Sequence, residues 1–541
     1  MTSPTPAQTE PGSKATLLLV TAALSGAAVM CIELSAVRLL APWFGTSLPV
    51  WSNVIAVVLL GLSIGYLFGG RASRGKDPAK SLAIVLGLAA VATAWLPFLA
   101  GPLAELFLPA QLDIEQASSV FRWGSLASSL CLFLPASTIL GCVGPLVVEL
   151  LGRSGLGAGE AGGRALFAST LGSLVGVFGT SHWAVPELGL RGTLLLAAGA
   201  LVLALVSISV VRASLGKPQV GLLLVALLGA VLTPASRALP YGLTQLATVE
   251  SPYQRVRVVE ALDQGVRFLA VNESTNSYQS VWQPELGLLD GDYYYNDFAL
   301  PPAWVAREQG PLSTWSTLCI GMGAGTAKRV LEGSLPAGTD LAFTGVELDP
   351  EVVRLGALHM DLEQGPDDLL ASDLDGRAAL RCLSGPFDQV IVDAYANQVE
   401  LPAHLVTLEF FQEVRERLAP GGWCQVNVGG ADTRDPLVRA VAGTLARAMQ
   451  SPVLLLRVPG TRNLMLTARR DARPPVPTED AWYLLPPELQ RVVRGREVRG
   501  QWDWLEADAP FEGLLTDDHA PVEALQQRSV EHSLARRNRT R

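Results

Sequence analysis

Up to about position 240, apolar residues come in long unbroken blocks separated by short charged clusters; beyond it they come in runs of a few residues. A helix needs about 20 apolar residues to cross a hydrocarbon layer. Seven blocks reach that length, at about 15–37, 50–70, 81–101, 125–150, 165–185, 192–211 and 219–235, and predict an α-helical transmembrane bundle of about seven spans. Small residues recur at close spacing, in Gly61–Gly65 and in Gly172, Gly176 and Gly179. Such positions let helix backbones approach, so the spans are expected to pack as a compact bundle. Pro135, Gly141, Gly144 and Pro145 interrupt the fourth block, which is expected to be kinked or re-entrant.

The later pattern is that of a soluble α/β domain. Gln254–Val259 and Val266–Asn272 alternate apolar and polar residues, as a small antiparallel β-element does. Strand-like runs at Ser316–Gly321, Leu341–Glu347, Phe387–Asp393 and Trp423–Val428 alternate with helical stretches, which predicts a doubly wound, Rossmann-like sheet of the class I methyltransferase kind. Val453–Val458 and Asn463–Thr467 form a candidate hairpin, and the region around Trp502 and Trp504 reads as an irregular appendage. The expected organisation is a polar tail over 1–14, a multi-pass domain over 15–240, a nucleoside-binding domain over 241–470, and an appendage with a basic tail over 471–541.

Composition sharpens this picture. The 541 residues are 49% hydrophobic and 17% charged, against about 25% charged in an ordinary soluble protein, and the deficit lies in the first half. The net charge of −9 argues against nucleic acid, which requires a clustered basic surface. Six cysteines without a CxxC pair or a nearby histidine cluster indicate neither a metal site nor a disulfide framework.

The chemistry concentrates where strands end. Gly321, Gly323 and Gly325 form a GxGxG turn between a strand and a helix, where the backbone can approach a ligand closely. Glu347 ends the next strand, where a carboxylate accepts ribose hydroxyl protons, while Asp349 suits the cap of the following helix better. Asp375-Gly376 opens a short helix, where the carboxylate is placed to hydrogen-bond an adenine amino group. Asp393 stands at the end of an apolar strand, the edge at which open α/β sheets hold ligands.

In these residues the chain resembles the spermidine synthase (polyamine aminopropyltransferase) family over roughly 245–430, and the multi-span half is similar to that of its membrane-fused members. The resemblance implies that Gln254, Gly321, Gly323, Gly325, Glu347, Asp375 and Gly376 bind the nucleoside, and that Asp393 is the proton acceptor. It also implies that Tyr295, Asn296, Asp297 and Tyr395 line the amine pocket, with Tyr294 beside them. The co-substrate implied is decarboxylated S-adenosylmethionine, with S-adenosylmethionine as the alternative and no metal. The partners implied are a polyamine such as putrescine, the lipid bilayer, and further copies of the chain. The segment Leu515–Glu523 resembles a closing element of the fused members. Three positions depart from the family pattern: Ala324 and Ala396 stand where carboxylates are usual, and Asn296 replaces a histidine. Nucleoside binding is therefore expected to persist, with the grip on a cationic amine altered. A methyltransferase and a non-catalytic nucleoside or polyamine sensor coupled to the bundle are the other readings.

Sidedness carries a conflict. The loop with Arg71, Arg74, Lys76 and Lys80 is the most basic and belongs on the cytoplasmic side. Seven true spans would then leave the soluble domain outside, whereas its chemistry needs a cytosolic co-substrate. A re-entrant fourth segment reverses the parity, so the expectation is an inner-membrane protein with a cytoplasmic domain.

Overall fold

The computed structural model describes residues 11–44, 48–107, 114–211, 217–231, 242–251, 253–271, 278–395, 401–475, 485–497, 502–506 and 513–540. The chain divides into two units, Met1–Ala238 and Leu239–Arg541.

The first unit is helical: α1 (Pro11–Phe44), α2 (Leu48–Ser73), α3 (Pro78–Leu106), α4 (Ile114–Gly141), α5 (Val143–Arg153), α6 (Ala158–Gly179), α7 (Val185–Val211) and α8 (Lys217–Val231). Five runs are long and apolar enough to cross a membrane: Lys14–Ala41, Pro49–Ser73, Pro78–Leu106, Trp123–Arg153 and Ala158–Ser209. The expected seven do not appear as seven separate helices. The 52-residue run merges the fifth and sixth blocks across a π-helical turn, Thr180–Ala184, and a kink at Gly189, whose φ of 67° is non-helical. The seventh block gives only a shorter apolar helix, Gln219–Gly229. The fourth is broken between α4 and α5 at Cys142, while Pro135 is absorbed within α4.

The outward face of the helices is apolar. Leu67 and Leu166 are 65% and 69% exposed, and Leu59, Phe68, Phe167 and Val175 also point outward. Ser125, Ser128, Ser129 and Thr93 are buried instead, and Asn53 Nδ2 donates to Ser125 Oγ at 2.9 Å. An apolar outside around polar interior contacts suits hydrocarbon as the solvent. Small residues bring the helices together as expected: a Cβ on Gly176 would lie 2.6 Å from the carbonyl oxygen of Ala27, and one on Gly172 would collide with that of Ala23. Gly61, Gly65 and Gly69 meet α4 and Cys142 equally closely, whereas Gly179 has open space around it.

The second unit begins with a four-stranded antiparallel sheet, β1 (Leu243–Glu250), β2 (Arg255–Ala261), β3 (Val266–Val271) and β4 (Ser280–Trp282). A 3₁₀ turn (Tyr294–Ala299) and α9 (Leu300–Gln309) lead into the main domain. There follow β5 (Thr314–Ile320), α10 (Thr326–Ser334), β6 (Asp340–Glu347), α11 (Pro350–His359), β7 (Leu369–Ser372), α12 (Gly376–Cys382), β8 (Phe387–Val392), α13 (Leu408–Arg417), β9 (Leu418–Gly429), α14 (Pro436–Met449), β10 (Val453–Arg457), β11 (Asn463–Arg469), α15 (Pro487–Glu497), β12 (Trp502–Leu505) and α16 (Val522–Thr540).

The main sheet has the order β12-β10-β11-β9-β8-β5-β6-β7. Its centre, from β9 to β7, is parallel; β11, β10 and β12 extend it antiparallel. The region around Trp502 and Trp504 is thus an edge strand rather than an irregular appendage, and β7 is a strand too short and too exposed to stand out as an apolar run. After β5 the chain winds outward through β6 and β7, then returns to place β8 on the other side of β5. That reversal opens a crevice at the carboxyl ends of β5 and β8, the usual ligand position in open α/β sheets.

Candidate active site

The GxGxG turn is built by three left-handed glycines: Gly321, Gly323 and Gly325 have φ of 81°, 56° and 88°. Each is also a close approach. A Cβ on Gly321 would lie 2.6 Å from the Asp393 carbonyl oxygen, one on Gly323 would lie 2.5 Å from Ser280 Oγ, and one on Gly325 would lie 2.6 Å from Leu362 Cδ1. The glycines are therefore required by the protein's own packing. Gly325 caps α10, so the turn aims a helix amino terminus at the crevice.

Glu347, at the tip of β6, reaches back to this turn. Its Oε2 accepts from the Gly323 amide at 3.0 Å and its Oε1 from the Asp349 amide at 3.1 Å. Burial raises its carboxyl pKa, against the lowering effect of those amides. Asp349 itself caps α11 through the Glu351 amide and accepts from Ser251 Oγ at 2.6 Å. The Gln254 side chain meets Asp349 too, so the segment before β2 is fastened beside Glu347.

Asp375 caps α12. Its Oδ1 accepts from the Arg377 and Ala378 amides, both at 3.0 Å, and its Oδ2 lies 2.8 Å from His404 Nε2. Partial burial pushes this carboxyl up, but the Ala378 amide and His404 outweigh it and hold the pKa below the ordinary value. Gly376 is pressed against Ile320, where any side chain would collide. Next to it, Arg377 grips Asp517 through two bonds, Nη1 to Oδ1 at 2.7 Å and Nη2 to Oδ2 at 2.8 Å. The closing segment thereby reaches the start of α12.

Asp393 extends from β8, its amide donating to the Ile320 carbonyl at 2.9 Å. Tyr294 donates its hydroxyl to Oδ2 at 2.8 Å, and Asn427 Nδ2 donates to Oδ1 at 2.9 Å. The side chain keeps some exposure, yet protein surrounds most of it. Loss of water raises the carboxyl to about 7, with the two hydrogen bonds opposing and the Glu347 charge assisting.

The expected amine-pocket residues divide. Tyr395 stands at the crevice, its hydroxyl donating to the Asn427 carbonyl at 3.0 Å. Tyr295 stacks on Tyr294 at 4.1 Å between ring centroids, but is buried and donates to the Gln279 carbonyl at 2.8 Å. Asp297, within the 3₁₀ turn, is fully buried. Asn296 corrects the expectation. Its amide is engaged with the loop before it, accepting from the Leu289 amide at 2.8 Å and donating to the Leu289 carbonyl at 2.9 Å, so it braces that loop. Ala324 also changes meaning: it is buried in an apolar cluster with Val352, Leu355 and Met360. Ala396 lies outside the described residues. Asn427 escaped the sequence reading; its one signal is that it stands with Gln425 on a face of a buried strand whose other face is apolar.

A glycine turn, a carboxylate on the neighbouring strand and a second carboxylate, raised by burial, at the point where the sheet's winding reverses define the class: a doubly wound α/β domain, on a chain with a long-helix unit before it. The resemblance to polyamine aminopropyltransferases recurs among known proteins. Over 270 residues the chain is 30% identical to a probable polyamine aminopropyl transferase of Bifidobacterium longum, covering 48% of this chain and 57% of that protein. Over 117 residues it is 26% identical to the polyamine aminopropyltransferase of Chromobacterium violaceum, covering 22% and 43%. The chain thus spans about half the length of the curated relatives it matches. No protein-family model matches it. Among solved structures, a probable spermidine synthase from Corynebacterium glutamicum aligns with a TM-score of 0.40 at 20% identity, over 48% of this chain and 90% of that one.

Proposed function

We propose that the chain is a membrane-bound aminopropyltransferase, moving an aminopropyl group from decarboxylated S-adenosylmethionine to an amine such as putrescine and releasing methylthioadenosine. The single observation that carries this reading is the Asp393 carboxyl, held by the Tyr294 hydroxyl and the Asn427 amide and raised by burial to about 7, with the Glu347 charge assisting.

An alkylamine has a pKa near 10 and is inert while protonated. As a carboxylate, Asp393 attracts the ammonium and takes its proton as the nitrogen attacks the methylene carbon next to sulfur. The new carbon–nitrogen bond forms as the carbon–sulfur bond breaks, and its electron pair returns to sulfur as a neutral thioether. Such a base contributes roughly 10²–10⁴-fold. Tyr294 and Asn427 each donate to one oxygen of the carboxylate and so hold its orientation. Glu347, already accepting from the Gly323, Asp349 and Leu348 amides, is proposed to receive the ribose hydroxyls, and the Asp375–Gly376 turn the adenine. Alignment of the two partners supplies much of the remaining acceleration.

The soluble domain is proposed to lie on the cytoplasmic side of the inner membrane, where such a co-substrate is made. Full-length protein in detergent, given diamines with decarboxylated S-adenosylmethionine or with S-adenosylmethionine itself, tests the assignment. Methylthioadenosine formed only with the decarboxylated compound is expected; adenosylhomocysteine would instead identify a methyltransferase, and no product from either would end the transferase reading.

A further inference from the structure

The face of the sheet that carries the site also carries two buried glutamines that the chemistry above does not use. Residues two apart on a strand share a face, so Gln389 lies on β8 below Asp393, and Gln425 on β9 below Asn427. Both are fully buried. A buried primary amide is destabilising unless its donors and acceptor are answered, and here they are. Gln389 Oε1 accepts from Trp315 Nε1 at 2.8 Å, and its Nε2 donates to Gln425 Oε1 at 2.6 Å and to the Phe298 carbonyl at 3.0 Å. Gln425 Nε2 donates to the Asp297 carbonyl at 2.9 Å and, more weakly, to Thr467 Oγ1 at 3.3 Å. Asp297 and Phe298 belong to the 3₁₀ turn that begins with Tyr294. The sheet therefore holds this turn by its backbone on the same two strands that present Asp393 and Asn427.

We propose that Gln389 and Gln425 are positioning residues for Asp393: their grip on the Asp297 and Phe298 carbonyls sets where the Tyr294 hydroxyl meets the Asp393 carboxylate. This rests on Asp393 being the reacting group of the site. Apolar residues would fill the same space, but would take the glutamine donors from both carbonyls, leaving Asp297 only the Leu300 amide of the turn's own end and the tyrosine free to move with the turn. Tyr294, Tyr295, Cys319, Glu347 and Tyr395 are the titratable groups around Asp393. None of them is altered by a change at Gln425.

The test reads the Asp393 carboxyl directly, by infrared titration of the full-length protein with isotope-labelled aspartate and Asp393→Asn as the blank. Gln425→Met conserves volume and removes the bond to Asp297. It is expected to raise the Asp393 midpoint by roughly one pH unit, the scale of one hydrogen bond to a carboxylate. Tyr294→Phe should raise it similarly, and the double variant no further than Tyr294→Phe alone. Thr467→Val should leave it unchanged. An unshifted midpoint in folded Gln425→Met, or additive shifts in the double variant, overturns the proposal. If Gln425→Met does not fold, Gln389→Met, which cuts the tie to Phe298, is judged by the same outcomes. Because the readout needs no turnover, a wild-type protein inactive with every amine would sink the transferase reading while leaving this one decided by the midpoints.

Discussion

Gly321 follows β5 so close to the end of β8 that the carbonyl oxygen of Asp393 would stand 2.6 Å from any β-carbon placed on the glycine. The two residues mark the crevice floor from neighbouring strands, and the glycine's φ of 81° is one that side chains resist. The glycine turn and the candidate base are thus a single packed feature.

Gly321→Ala combines that clash with a strained backbone, which alone costs on the order of 1–3 kcal/mol. A lower unfolding temperature of the soluble unit and a weaker affinity for methylthioadenosine are expected together, by calorimetry. A variant normal in both would mean that the strand ends are farther apart than described.

Asp393→Asn keeps the shape of the side chain and removes the base. Turnover should fall at least a hundredfold, while methylthioadenosine affinity stays within a few fold. Activity near the wild-type level would take Asp393 out of the mechanism.

The same carboxyl predicts a pH dependence. Its folded pKa, about 7, lies above the ordinary 3.8, so the folded state keeps a proton that the unfolded state has lost between those values. The stability this contributes is full below pH 3.8 and is lost as pH rises through 7. Asp393→Asn should therefore unfold at a higher temperature than wild type at pH 8, with the gap narrowing towards pH 5. The wild-type kcat/KM should rise through pH 7 as the base ionises. A gap that stays constant with pH would contradict the raised value.

Glu347→Gln replaces an acceptor for two backbone amides with a group that is half donor. A hydrogen bond to a charged group contributes about 1.5–3 kcal/mol, so thioadenosine binding should weaken tenfold or more by titration calorimetry. Unchanged affinity would separate Glu347 from the nucleoside.

In the helical unit, Gly172→Leu and Gly179→Leu form a matched pair. The first meets the Ala23 backbone on α1; the second enters open space. Only the first should lower the melting temperature in detergent, and equal effects would argue against the α1–α6 contact.

The pattern of apolar positions alone determined the two-part architecture, because long blocks and short alternating runs demand different solvents. It also located the strand tips, since a glycine turn or a carboxylate ending an apolar run is a local signal: Gly321, Glu347, Asp375 and Asp393 are all found where strands or helices begin or end. Which of these side chains meet was decided by the tertiary structure. Tyr294 lies 99 residues before Asp393 and Asn427 lies 34 after it, and Arg377 meets Asp517 only when the late segment folds back. Orientation was equally hidden. Asn296 braces a loop and Ala324 fills an apolar cluster, although both lie in segments the motifs marked. The reason is physical: hydrophobic period and turn chemistry act between near neighbours, whereas hydrogen bonds across a crevice depend on strand order and on the face each residue takes, and those are fixed only once the sheet is assembled.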